Sequence, residues 1–551
     1  MNVVTMRWGW RLAVCTIALG LGGVASAAAD EPLRDVIDRE LSAAWAKEKV
    51  VPAAPADDAE FLRRIYLDLC GDMPTYDETI AFLDDKSTDK RSALIDRLLD
   101  DPRYAQHLAD QWDLLLFSRN PPGYDTDKRD GIQAWLKKQF AENVPYDEVA
   151  RALLKAEGNS LDDGPPVFYM QYKGQPEDAT EAITQIFLGV QLQCARCHDH
   201  PFETWKQVDF YGMAAFVSRL DVVTVGKDKQ LTKYAIGEKS TGDILFTGPA
   251  KDQKPGQKGA PIRPRFLHGA ELKEPVLPTS FKPVDKFPAN KMPEPPPYSR
   301  KDQLAEWITA DDNPYFARAI ANRVWSLYFG RGVVHPVDNM SPANAPSHPA
   351  LLDALTASMK ANKFDLKQFT RELVNTKAYQ LSSAGGDGNQ FPAWFAAARV
   401  RPLSAEELAQ AWRTSTGYEA VEKSGDLKNA KPGRFRPFES GYMIRFFGTP
   451  NTGTGDFQGG LQEHLYLNNG PMGNVLVRSR GSLLDALTAA DAGEVPARVE
   501  RLFLSLLNRR PTAAESERFA AFCNEASTKD DTAWREAAWT LMTSSEFRFN
   551  H

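Results

Sequence analysis

Apolar residues recur at helical spacing over most of the chain. Val36, Ile37, Leu41 and Trp45 form one stripe; Phe61, Leu62, Ile65, Tyr66 and Leu69 form another. Gly71 to Pro74 stops the second helix, and Thr75 with Glu78 three residues on is the capping-box signature of a new one. Leu94, Ile95, Leu98 and Leu99 predict a further helix, and Ala182 to Leu192 another that leads directly into Cys194. The pattern changes at about Asp221. Lys233 to Ile236 and Asp243 to Phe246 read as the two strands of a hairpin with a Gly-rich connection. Twelve of the 37 prolines fall between Pro249 and Pro297, a density that no packed helix tolerates. Helical spacing returns at Arg300. Asp312, Asn313 and Pro314 mark a helix start, and Phe316, Ile320 and Val324 carry that helix to Gly330. Ser404 with Glu407, and Thr512 with Glu515, are two more capping boxes. The pattern predicts a mainly α fold: two helical domains, residues 30–220 and 300–551, joined by a small β-containing, proline-rich segment, residues 221–299.

One pattern occurs twice. Arg64 to Leu69, Pro74, Thr75, Glu78 and Phe82 match Arg501 to Leu506, Pro511, Thr512, Glu515 and Phe519 at a constant offset of 437. Helices also end repeatedly with an aromatic six residues after a leucine: Leu98 with Tyr104, Leu373 with Tyr379, Leu541 with Phe547. The expectation is a reused helix–turn–helix unit whose aromatic locks its end against a neighbour.

The N-terminus changes the picture of where the protein works. Arg7 and Arg11 precede or open an apolar stretch, Leu12 to Val24, followed by Ala25, Ser26 and Ala27. That order is a secretory signal peptide, residues 1–29, cleaved near Ala27 or Ala29. The stretch is short for a bilayer span, and no second long apolar run follows, so no transmembrane helix is expected after cleavage. Cleavage removes two arginines and takes the formal charge from −7 to −9. An acidic balance argues against a nucleic-acid surface. The expected location is the periplasm or cell envelope.

Four cysteines remain after cleavage, too few for a disulfide framework. Cys70 and Cys523 sit in helical apolar patterns, where such thiols are buried and inert. Cys194 and Cys197 are different. With His198 they make Cys-x-x-Cys-His, the spacing of c-type haem attachment. Two thiols three positions apart reach the two vinyl groups on one porphyrin edge, and the adjacent histidine faces the iron. Phe202, Trp205, Phe210, Tyr211 and Phe216 follow and are candidates to pack on a haem face, or plain core. For the far side of the iron, Met292 beside Pro293 is the first candidate, with Met213, His200, His268 and His335 as rivals. Two other readings of the motif stay open: a local disulfide, and zinc held with His198 or His200.

Other polar residues carry less. Asn322, Arg323 and Trp325, with His335, Asp338 and Asn339, suit either a cleft or a buried network between helices, the latter being simpler. His348 before Pro349 reads as a helix cap. Asp68, Asp72, Asp110 and Asp113 read as solvated or capping acids. No nucleophile elbow, zinc-protease helix, Walker loop or dinucleotide fingerprint is present, and no enzyme class follows.

Several long motifs resemble a known pairing. Arg64-Ile65-Tyr66-Leu67-Asp68-Leu69-Cys70-Gly71, Leu98 to Tyr104, and Cys194 to Phe202 resemble the planctomycete cytochrome-like domain, a domain of unknown function named for its Cys-x-x-Cys-His segment. Asn313 to Arg318, Asn322-Arg323-Val324-Trp325, Phe329 to Gly332, Ser347-His348-Pro349 and Leu403 to Leu408 resemble its usual C-terminal partner, a second domain of unknown function. The resemblance implies haem c at Cys194, Cys197 and His198. It departs between Phe447 and Leu467, where many relatives carry cysteines and this chain has none. The leading expectation is an exported c-type haem protein for electron transfer or redox sensing, with a redox partner that the sequence does not name. The other is a non-haem envelope binding or scaffold protein, linked to polysaccharide use, whose motif is held by zinc or a disulfide.

Overall fold

The computed structural model describes residues 31–118, 130–228, 231–246, 248, 259–388, 390–417, 483–489, 491–525 and 531–551. Residues 1–29, which the sequence reads as a signal peptide, and the stretch Phe447 to Leu467 lie outside them. The chain is mainly α, and its sheets among the described residues are antiparallel pairs of strands.

The predicted boundaries hold closely at the first helices because their capping chemistry is strong. Helix Asp58–Cys70 ends where Gly71 turns left-handed at φ 62°. Thr75 and Glu78 exchange both capping-box bonds and open helix Tyr76–Asp84. Ser404 with Glu407 opens helix Ala405–Ser415 in the same way, and Thr512 with Glu515 opens helix Ala513–Glu525. Asn313 accepts the Tyr315 and Phe316 amides just ahead of helix Phe316–Phe329, whose N-cap position is Tyr315.

The strand pairing differs from expectation. Leu231–Glu238 does form a strand, but its partner is Leu220–Asp228, which follows helix Gln207–Ala214 after a short turn. Leu245–Phe246 pairs with Ala260–Pro261 instead. Val222 and Val223 point to opposite faces of the missed strand, and both are buried.

The main apolar core runs from Leu33 to Phe395 and includes Val222 and Ile236 of the hairpin. A second core is built from residues 403–547 together with Leu67 and Met73. Helix Asp58–Cys70 therefore touches both, and every residue from Phe61 to Cys70 is buried. A helix buried on all sides must pair its charges internally. Arg63 donates to the Glu546 and Phe547 carbonyls at 3.0 and 2.7 Å. Arg64 donates to the Tyr379 and Leu381 carbonyls, both at 2.8 Å. Asp68 accepts from Tyr379 Oη, Arg401 and Asn550. Each charge fastens the helix to a segment more than 300 residues away.

The two copies of the repeated pattern pack on each other. Asn508, equivalent to Gly71 at the 437 offset, is also left-handed, at φ 59°. Its amide donates to Pro74 O in the turn of the first copy and to Thr79 Oγ1 in the helix that follows it. The Arg501 guanidinium lies 4.5 Å from the Tyr76 ring centroid. The aromatics Tyr104, Tyr379 and Phe547 are all buried, as expected of locks.

The acids at these helix ends correct the expectation that they are solvated. Asp68, Asp72 and Asp113 are all buried, the first two under the C-terminal residues Arg401, Thr414 and Asn550 and Asp113 beside Gln133. Burial pushes the Asp72 carboxyl up to about 7, against bonds from Thr414 and the Met73 amide. Burial likewise raises Asp110 to about 6. Cys70 and Cys523 are buried thiols, as their patterns predict.

Candidate functional site

Helix Pro176–Leu188 stops four residues earlier than expected, because Gly189 turns left-handed at φ 66°. The chain then passes through buried Val190 and Leu192 into a short 3-10 turn, Gln193–Arg196. This turn carries the motif. Ala195 is its buried peg, while Cys194, Cys197 and His198 point outward and are exposed. A 3-10 turn brings positions three apart to one side, so both thiols share a face. The Cys197 and His198 amides each donate to Cys194 O at 3.3 Å.

Arg196, between the cysteines, reaches back to helix Pro176–Leu188 and bonds Asp178 and Glu181 at 2.7 and 3.2 Å. On the other side, Asp199 Oδ1 accepts the Gln207 amide at 2.9 Å, and Gln207 Nε2 donates to Arg196 O at 3.0 Å. The motif is thus clamped between helices Pro176–Leu188 and Gln207–Ala214.

The two histidines of the motif are in opposite states. His198 Nδ1 lies 2.8 Å from Asp199 O, so it carries a proton, and in the neutral ring Nε2 then keeps its lone pair. His200 Nδ1 accepts the Phe202 and Glu203 amides at 3.3 and 3.0 Å, so its proton sits on Nε2. His198 is set to ligate a metal and His200 to donate a hydrogen bond.

Cys194 and Cys197 are both free thiols. Among the described residues, no three His, Cys, Asp or Glu side chains converge to hold a metal ion. The donor set suits a c-type haem: two accessible thiols on one face and an imidazole with Nε2 open. The far-side candidates are placed elsewhere. Met292 is 49% exposed in the proline-rich segment, two residues after Asn290, whose amide bonds Thr224 of the hairpin. Met213 is core. His268 is stacked on Trp205 with ring centroids 4.2 Å apart. His335 precedes Pro336 in the loop after helix Phe316–Phe329. Trp205, Phe210 and Phe216 are buried in the main core, whereas Phe202 is 85% exposed.

The Asn322 to Asn339 region is a packing network. Asn322 is fully buried, donates to Val334 O and Val337 O, and accepts the Val334 amide. Arg323 pairs with Asp338 and donates to Ile186 O. Gly332 is required there, since a Cβ would stand 2.2 Å from Val334 O. His348 stands at the N-cap position of helix Pro349–Ala361 but makes no side-chain cap bond; its ring bonds Ser347 and packs on Trp394 and Phe395. The network fixes the loop that follows, and the Met340 amide bonds Gly189 O at 2.8 Å.

That loop and the motif's own loop enclose a cleft of about 380 Å³. His200, Phe202, Glu203 and Trp205 form one wall, and Asn339, Met340, Ser341 and Asn344 the other, with Val190 and Gln191 at the base. Ser341 Oγ donates to Glu203 across it. Cys194, Cys197 and His198 lie outside it. Of these residues only His200, Phe202, Trp205 and Asn339 stand out in the sequence. The remainder come from loops about 140 positions apart, and no local pattern marks them.

No helix among the described residues is long and apolar enough to cross a membrane. No curated protein and no solved structure is significantly similar to the chain. Residues 36–222 match the family PSCyt2, a protein of unknown function (DUF1549), and residues 300–436 match PSD1, a protein of unknown function (DUF1553). The chain therefore belongs to the planctomycete-type proteins that pair these two domains of unknown function.

Proposed function

We propose that the mature chain is a cell-envelope c-type haem protein for electron transfer or redox sensing. Cys194 and Cys197 would hold the haem covalently, and His198 would ligate its iron through Nε2. The haem, when bound, supplies one-electron chemistry. The chain's own contribution is orientation. Asp199 O fixes the His198 tautomer, Arg196 and Gln207 hold the turn between two helices, and the exposed face leaves a short path to a redox partner. The observation that carries the reading is the His198 Nδ1 to Asp199 O bond, beside two free thiols on the same turn.

The test is a haem stain on a denaturing gel of protein exported in a cytochrome c maturation host. Staining at the full-length band is expected, and its absence from soluble, correctly processed protein would overturn the reading. A second reading, an envelope binding protein that needs no haem, is favoured by the cleft, which excludes both thiols.

A further inference from the structure

The cleft beside the motif lies in the size range of small-molecule sites. Its walls say what kind of molecule suits it. No lysine or arginine lines it, and Glu203 is its one acidic side chain. An anionic ligand is disfavoured by that balance.

The polar groups of the walls are mostly neutral and come in donor–acceptor form. Gln191 and Asn339 have half-buried side-chain amides with no hydrogen bond among the described residues. Each offers a carbonyl and an NH2 to a ligand. Asn344 spends its NH2 on Asn339 O and keeps its side-chain carbonyl. His200 presents an Nε2–H donor, because its Nδ1 is engaged by two amides. At the lip stands Phe202, 85% exposed, a large apolar ring that water alone does not favour.

A ligand complementary to this set has one apolar face for the phenyl ring and several hydroxyls, each able to donate and accept. A sugar ring has that combination. An extended peptide added as a strand is excluded, since neither wall is a strand, and the penta-alanine arm of the test below covers other peptide modes. We propose that the cleft binds a neutral sugar residue of a glycan, with its C–H face on Phe202 and its hydroxyls on Gln191, Asn339 and His200 Nε2. This names a ligand class for the second reading above and does not depend on haem.

The test is isothermal titration of the full-length mature protein with three neutral hexasaccharides, cellohexaose, maltohexaose and mannohexaose, and with penta-alanine. At least one hexasaccharide should bind with a Kd of about 1 mM or tighter, and Phe202→Ala and Asn339→Ala should each weaken it about ten-fold or more. Phe202 is exposed, so its substitution leaves the core intact. The Cys194→Ala/Cys197→Ala protein should bind as wild type does, which separates this site from the thiols. The proposal is overturned if no hexasaccharide binds, if penta-alanine binds more tightly, if both cleft variants bind as wild type does, or if the dithiol variant loses binding.

Discussion

His198 Nδ1 donates to the main-chain oxygen of its neighbour Asp199 at 2.8 Å, and this bond decides which nitrogen of the ring is open to a metal. Two positions on, His200 is locked the opposite way by the Phe202 and Glu203 amides. The two histidines therefore respond differently to removal. His198→Ala should abolish covalent haem staining, while His200→Ala should retain it and change only the cleft. Equal loss in both variants, with both proteins folded by circular dichroism, contradicts the assignment.

Asp72 sets a pH dependence. Burial raises its carboxyl from 3.8 to about 7 in the folded chain. Between those values the folded chain keeps a proton that the unfolded chain has released, so stability falls as pH rises through the window. Below about pH 4 the carboxyl is protonated in both states and the effect is absent. Asp72→Asn mimics the protonated form. Its stability relative to wild type should therefore climb from about pH 4 to about pH 7 and then level off, reaching about 2–4 kcal/mol. Urea midpoints of both proteins across that range check it; a constant difference removes Asp72 as the cause.

Arg401 joins the two cores. It bonds Glu407 twice, at 2.7 and 2.8 Å, and Asp68 at 3.0 Å. Burial works to raise the Glu407 carboxyl, but the Arg401 guanidinium outweighs it and holds it below the usual range. Arg401→Ala leaves two buried carboxylates without their cation, a loss of about 3–5 kcal/mol. A lowered melting temperature with both cores affected is expected. A change within about 1 kcal/mol contradicts this role, since that is what an exposed ion pair gives.

Much of the fold is legible in the sequence where local chemistry is strong. Capping boxes at Thr75, Ser404 and Thr512, and glycine stops at Gly71 and Gly330, mark helix ends that need no tertiary context. The offset repeat is legible too, down to the left-handed Asn508 that stands for Gly71. What escapes is long-range. The strand Leu220–Asp228 follows a helix without a turn signal, and its pairing with Leu231–Glu238 is a tertiary choice. The buried state of Asp68 and Asp72 depends on segments more than 300 residues later. At the site, the spacing of Cys194, Cys197 and His198 reveals the donor set, but the cleft behind it needs Ser341 and Asn344, which only the fold brings near.

The most direct measurement is a pyridine haemochrome spectrum of the mature protein co-produced with a cytochrome c maturation system, beside the Cys194→Ala/Cys197→Ala variant. The account predicts a c-type band in the wild type and none in the variant. No band in either, with full-length folded protein in hand, would contradict it.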